Sequence, residues 1–207
     1  DEIYKGKVIS GKGDKNILLS DLNPYGHLLD KNEVLNKPVL WYDTQHDVSF
    51  REDCKSNASS TRKGDIGVVR SNVNEVHIAL YHIDKLMTIM RLKEEHIGVI
   101  TPYKGQVNLM KKHIHKKYPN IAVHTVDGYQ GNEKECIIFS LVRFNKQNQL
   151  GFVKNRNRLN VAITRAKRQL CVIGNLETFS NSQESNKFLK NWCKFVKTSG
   201  IIQFPTL

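Results

Sequence analysis

The sequence predicts an α/β domain, with a mostly parallel sheet and helices on its faces. Three observations carry this reading. Short apolar runs alternate along the chain with amphipathic stretches at helical spacing, the order expected of βα units. The run Cys136-Ile137-Ile138-Phe139-Ser140-Leu141-Val142 is apolar enough for a strand buried on both faces. Val73, Val76, Leu80, Ile83, Met87 and Met90 recur at intervals of three and four, which sets a core-facing stripe on one long helix.

The elements follow in order. Residues 1–37 show little periodicity and read as an irregular lead-in to Pro24-Tyr25-Gly26-His27-Leu28-Leu29. Gly11-Lys12-Gly13 lacks the spacing of a phosphate loop and is rejected as one. The domain proper is expected over 38–200, with 201–207 as a tail. Residues 38–44 read as the first core strand and 51–67 as a polar loop. A helix is predicted over 72–90, capped by Asn72 with Glu75 as its reciprocal partner. His77 and His82 read as incidental to it rather than as ligands. Strand 96–100 follows, then a helix over 104–117 with Val107, Met110 and Ile114 inward, then strand 121–125. After the apolar run come a polar loop at 147–149, a helix over 157–166 and a strand over 169–174. A last helix spans 184–198, with Phe188, Leu189, Trp192, Phe195 and Val196 at helical spacing. The chain has no internal repeat.

At 207 residues the chain suits one domain with a substantial core. Lys and Arg number 32 against 20 Asp and Glu, a formal charge of +12, which favours a polyanionic partner, most simply nucleic acid. An anionic membrane is disfavoured, because neither end carries a basic amphipathic helix with a bulky apolar face. No run is long enough to span a bilayer, and no signal-peptide pattern is present. The four cysteines have no CxxC spacing, so no zinc site is expected, and the chain reads as reduced and intracellular. Cys136 and Cys171 lie in strand-like runs and read as buried small hydrophobes.

Two stretches carry chemistry. The first, Thr125-Val126-Asp127-Gly128-Tyr129-Gln130-Gly131-Asn132-Glu133-Lys134-Glu135, is a polar turn with two glycines just before a strand. Its glycines allow backbone N–H groups to approach a ligand closely, although a plain surface turn has the same composition. The second, Arg158-Leu159-Asn160-Val161-Ala162-Ile163-Thr164-Arg165-Ala166-Lys167, sets Arg165 on a short predicted helix. A guanidinium fixed on a rigid element suits phosphate oxygens; a solvated basic helix face reads the same way.

With Thr101-Pro102-Tyr103 and Gln106 upstream, these stretches resemble motifs IV, V and VI of the superfamily 1B helicases, the group related to the nonsense-mediated-decay helicase. The family patterns are roughly TPYxxQ, TVDxFQGxEK and RxNVAxTRAK, and all three occur here in the family's order. Pro24-Tyr25, the strand at 38–44, Val142-Arg143-Phe144-Asn145 leading to Gly151-Phe152-Val153, and Asn186-Lys187-Phe188-Leu189-Lys190 are similar to one branch of that group. The branch holds the immunoglobulin mu-binding protein 2 helicase and the DNA polymerase alpha-associated helicase A of fungi.

The resemblance implies a RecA-like (P-loop NTPase) three-layer domain, the second of two in a helicase motor. ATP and Mg2+ would sit between this domain and a first RecA-like domain of the same protein. That first domain would carry the phosphate loop, the magnesium-binding carboxylate and the water activator; this chain has no Walker A. On the family pattern Arg165 would be the catalytic arginine finger, Glu133 an acceptor for the nucleotide sugar, and Gly131 a close backbone approach to the phosphates. Gln130 would link the ATP and nucleic-acid sites. Thr101, Pro102, Tyr103, Thr125 and Val126 match positions facing single-stranded DNA or RNA, and Tyr103 suits base stacking and internal packing equally. Asp127, Arg158 and Asn160 would brace motifs V and VI, while Arg143 fits either a brace or a ligand contact. The group implies 5′-to-3′ movement. A monomer in the nucleus or cytoplasm is expected, with no metal held by this chain.

Asn132 stands where Arg or Ser is common, and Asn157 where a second Arg often precedes Arg158. Two rivals stand beside the motor reading: a non-catalytic nucleic-acid-binding module of the same fold, and a metal-dependent nuclease. The nuclease would need clustered acidic ligands, for which Asp43, Asp127 and Glu133 are too few and too scattered.

Overall fold

The computed structural model describes residues 18–22, 34–44, 47–56, 68–185, 187–199 and 201–204. Most of the 1–37 lead-in, including Gly11-Lys12-Gly13 and Pro24–Leu29, lies outside these residues, as does 57–67. The described part forms a three-layer α/β domain of the RecA-like kind. Six parallel strands make the central sheet: β1 (Val39–Asp43), β4 (Ile97–Thr101), β5 (Ala122–Thr125), β6 (Lys134–Ser140), β7 (Ala166–Gly174) and β8 (Ile201–Gln203). Their order is β5-β4-β6-β7-β1-β8. The short strands β2 (Asp53–Ser56) and β3 (Val68–Ser71) pair antiparallel beside it.

Strand periodicity separates two cores. Leu40, Tyr42, Cys136, Ile138, Cys171 and Ile173 face one side, against α1 (Val73–Thr88) and α2 (Lys104–Ile114). Trp41, Ile137, Phe139, Leu170 and Val172 face the other, against α3 (Arg156–Ile163), α4 (Leu176–Asn181) and α5 (Lys187–Ser199). Both faces of β6 and β7 are therefore covered, which is why they read as continuous apolar runs. Trp41 is fully buried between Phe179 and Trp192, and its indole N–H donates to the Gly174 carbonyl at 2.9 Å.

Several expectations change. The tail predicted at 201–207 contributes β8, which pairs with β1 at Leu40–Tyr42. The polar loop at 51–67 begins with β2. The lead-in supplies Leu19 and Leu35 to the core from two short 3-10 turns. Residues 176–181 form α4, unpredicted, so the last helix starts only at Lys187. On α1 the buried face is rotated from the predicted stripe. Val73 is exposed, whereas Ile78, Ala79, Leu86, Glu75 and His82 are inside.

Glu75 is the informative case. Asn72 caps α1, its side chain accepting from Glu75 N at 3.1 Å, but the reciprocal bond comes from Gln106, whose Oε1 accepts from Asn72 N at 2.8 Å. The Glu75 carboxylate instead turns inward, accepting from the Ser140 hydroxyl (2.6 Å) and from Val142 N (3.0 Å). Gln106 Nε2 donates to both Asn72 O and Ser140 Oγ, closing a buried polar network behind the end of β6. Val142 sits there at φ 69°, a left-handed conformation that a β-branched residue adopts only under constraint. Burial outweighs these hydrogen bonds and pushes the Glu75 carboxyl up to about 8. His82 is not incidental either. It lies buried between Tyr42 (3.3 Å) and Gln169 (3.0 Å), and burial lowers it to about 4.

Candidate nucleotide and nucleic-acid site

The candidate residues divide between the two ends of the parallel strands. Thr101 and Thr125 end β4 and β5, and Tyr103 caps the start of α2 just beyond. Glu133 and Arg165 lie at the opposite end, immediately before β6 and β7, whose first residues pair as Lys134 with Ala166. The segment 126–133 therefore has to run the length of the sheet. It does so across the second core face, where Val126 and Tyr129 are buried. Gly98 of β4 leaves room for the crossing, since a Cβ there would lie 2.7 Å from the Tyr129 hydroxyl.

Helix α3 runs alongside this segment. Asn155 caps it, accepting from Asn157 N and Arg158 N, and its eight residues span about 12 Å. The two lines are tied at both ends. Arg158 Nη2 meets Asp127 Oδ2 at 3.2 Å at one end. Lys134 N donates to the Arg165 carbonyl at 3.1 Å at the other.

Arg165 is not on the helix. α3 stops at Ile163, with Thr164 leaving helical geometry while its hydroxyl bonds back to the Asn160 and Val161 carbonyls, and Arg165 occupies the turn into β7. Its guanidinium is half-buried and held by three neutral oxygens. Nε donates to Val161 O at 2.9 Å, Nη2 to Thr164 Oγ1 at 3.0 Å, and Nη1 to Asn132 O at 3.4 Å. Among the described residues no carboxylate pairs with it, whereas neighbouring Lys167 and Arg168 both pair with Glu135. Arg165 thus keeps a fixed position and an unneutralised charge. The contact to residue 132 uses the backbone carbonyl, so the Asn at that position does not disturb it. Gln130, Gly131 (φ 85°), Asn132 and Glu133 are exposed beside it, and Glu133 makes no ion pair among the described residues.

At the strand-end edge, the side chains of Thr101, Pro102 and Val126 are buried and support the surface rather than line it. Val126 N donates to the Thr101 carbonyl at 3.1 Å, which joins β5 to β4. The Thr125 hydroxyl accepts from Gly128 N at 3.1 Å. Tyr103 is half-buried, with its ring facing Arg70 (6.0 Å) and Phe152 (6.4 Å), and burial raises its hydroxyl. Arg143 is held inside the domain. It is 2% exposed, pairs with Glu52 at 3.0 Å and donates through Nε to Gln149 O at 2.8 Å. Asn160 lies half-buried on α3, its carbonyl accepting from Thr164.

Sequence reasoning assigned no site role to Glu52, Glu75 or Phe152. Glu75 is read from the sequence only as a capping partner, and Phe152 only as part of the run Gly151-Phe152-Val153 in the branch resemblance; Glu52 carried no signal. The acidic trio considered for a nuclease is dispersed. Asp43 accepts from Leu176 N at 3.0 Å, Asp127 pairs with Arg158, and Glu133 lies at the other end of the sheet. Among the described residues no group of three or more His, Cys, Asp or Glu could hold a metal ion, and no helix is long and apolar enough to cross a membrane. An open groove of about 400 Å³ lies between residues 147–149 and 181–184, and no candidate residue lines it.

A family model described as an AAA domain matches residues 1–177. The chain is 38% identical to the DNA polymerase alpha-associated DNA helicase A of Saccharomyces cerevisiae, over 99% of this chain and 29% of that protein. It is 36% identical to the protein of that name from Schizosaccharomyces pombe, over 98% of this chain and 29% of the relative. The DNA-binding protein SMUBP-2 of Rattus norvegicus is 34% identical over 65% of this chain and 13% of its own length. The chain thus spans less than a third of the length of the yeast relatives it matches. It carries the three motifs in order on the three-layer fold, and it belongs to the AAA-domain family, in the superfamily 1 helicase branch that its sequence resembles.

Proposed function

We propose that this chain is the second motor domain of an ATP-dependent nucleic-acid helicase. The observation that carries the reading is Arg165, a guanidinium fixed by three neutral oxygens with no counter-charge among the described residues. A cation so placed has its field available for an incoming anion. In the motor, Arg165 acts as the arginine finger, offsetting charge that develops on the γ-phosphoryl oxygens as the bond to the leaving group breaks. Such a group contributes roughly 10³ to 10⁵ in rate in phosphoryl transfer. Glu133 accepts from the nucleotide sugar, a task suited to its exposed carboxylate, which makes no ion pair among the described residues. Gln130 and Gly131 complete that wall.

The strand-end edge, with Tyr103 and Thr125, contributes half of a track for single-stranded DNA or RNA. The phosphate loop, the water activator and the carboxylate that holds Mg2+ belong to a first RecA-like domain, which this chain meets across the nucleotide. When bound there, Mg2+ would supply positive charge against the phosphates. Binding of ATP closes the two domains, hydrolysis releases them, and the strand advances 5′ to 3′ past a monomer.

The test uses the full-length protein and duplexes carrying a single-stranded tail on either the 5′ or the 3′ side. Strand-stimulated ATP turnover, with unwinding only from the 5′-tailed duplex, is expected. Strand binding without any turnover would replace the motor with a non-catalytic binding module.

A further inference from the structure

We infer that Phe152 is a positioning residue that couples strand occupancy to Arg165. The inference rests on the motor reading above and assigns a residue that lies outside the three motifs. Phe152 stands in a 3-10 turn, Gly151–Lys154, that leads through the Asn155 cap directly into α3. Its ring lies between two groups from different parts of the fold. On one side is Tyr103, with ring centroids 6.4 Å apart and planes tilted by 58°. On the other is the Arg158 guanidinium, 4.2 Å from the ring centroid. Tyr103 in turn faces the Arg70 guanidinium of β3, and Arg158 pairs with Asp127. The result is a continuous stack, Arg70–Tyr103–Phe152–Arg158–Asp127, with Phe152 as its only all-carbon side chain. Both kinds of contact, ring on ring and cation on ring, are attractive and depend on orientation.

The stack is open at Arg158 and Asp127 and partly open at Tyr103 and Phe152, and it has one mechanical outlet. Tyr103 is half-buried at the candidate strand edge, so a base or sugar stacked against it would press on a ring already seated on Phe152. Gly151 leaves little slack. It sits at φ 55°, and a Cβ there would lie 2.9 Å from the Tyr103 hydroxyl, so Tyr103 rests directly on the turn's backbone. Any displacement of the turn passes to α3, whose first turn holds Arg158 and whose far end holds Val161 and Thr164, the groups that orient the Arg165 guanidinium. The helix is short enough, about 12 Å, to move as one body. The other line between the two edges, residues 126–133, is joined to the same stack through Asp127.

The experiment compares full-length wild type, Phe152→Leu and Phe152→Tyr. Leucine keeps apolar bulk but removes the ring; tyrosine keeps the ring. Three quantities are read: affinity for a labelled oligothymidylate, ATP turnover without strand, and turnover at saturating strand. Phe152→Leu is expected to keep strand affinity and unstimulated turnover while losing most of the stimulation, with Phe152→Tyr close to wild type. Wild-type stimulation in Phe152→Leu would overturn the inference. So would an equal proportional loss of stimulated and unstimulated turnover, the mark of a merely structural role. A wild-type protein that binds strand without stimulation would remove the motor reading itself, and the inference with it.

Discussion

Arg143 and Arg165 both lie just outside a central strand, Arg143 after β6 and Arg165 before β7, and the fold treats their charges in opposite ways. Arg143 is almost wholly buried, with Glu52 at 3.0 Å and the Gln149 carbonyl at 2.8 Å. Its charge is countered inside the domain by a carboxylate that also meets Arg70 at 3.7 Å, and the contact ties the β2 approach to the loop after β6. Arg165 is as well positioned, but by two carbonyls and a hydroxyl. Neutral acceptors fix a guanidinium without cancelling its field. The difference separates a charge that holds the fold from one that the fold holds for something else.

The comparison can be broken most severely at Arg143. Arg143→Met removes the nearer of the two guanidiniums that meet the buried Glu52 carboxylate and leaves Arg70 at 3.7 Å, so stability should fall by at most about 3–5 kcal/mol in urea unfolding. Adding Glu52→Gln should recover a large part of that loss; if it recovers none, the pair is not what Arg143 contributes.

Glu75 sharpens the contrast through pH. Its folded value, about 8, lies above its ordinary 4.5, so the folded state binds more protons between these values and stability falls as pH rises across that window. His82, lowered from 6.5 to about 4, acts in the opposite sense, with stability lost as pH falls below 6.5. The two oppose each other between pH 4.5 and 6.5, which leaves Glu75 to set the slope from 6.5 to 8, at most about 1.4 kcal/mol per pH unit. Urea midpoints measured across pH should show that decline in wild type and a flatter profile in Glu75→Gln.

A smaller loss is expected at the turn into α3. Gly151→Ala places a Cβ at positive φ and against Tyr103, and should lower stability by about 1–2 kcal/mol. A neutral result in urea unfolding would mean that the turn yields readily, and would weaken the link from Tyr103 to α3.

Much of this architecture was legible in the sequence, and the exceptions have physical causes. β6 and β7 are readable because both faces of their inner parts are covered, so Cys136–Phe139 and Leu170–Ile173 are unbroken apolar runs. β8 was not, because three residues carry no period and Ile201–Gln203 is a strand only by pairing with β1. α4 is six residues long, too short for a helical stripe. Spacing sets Arg165 on the helix because Thr164 and Ala166 continue its pattern; α3 nevertheless ends at Ile163, which spacing does not reveal. Glu75 fitted the local capping spacing, but Ser140 and Val142, distant in sequence, offered its carboxylate buried donors. Arg143 was ambiguous for the same reason, since Glu52 reaches it only through the fold. The motif residues could be named from sequence, but their division between the two ends of the sheet could not.

The most direct measurement is the strand-stimulated ATP turnover of full-length Arg165→Ala against wild type. Turnover should fall by about 10³ or more, while strand affinity and the urea midpoint stay near wild type, because the lost group carried charge for the ligand and not for the fold. Turnover close to wild type, or a loss of turnover matched by a loss of folding stability, would contradict the assignment of Arg165.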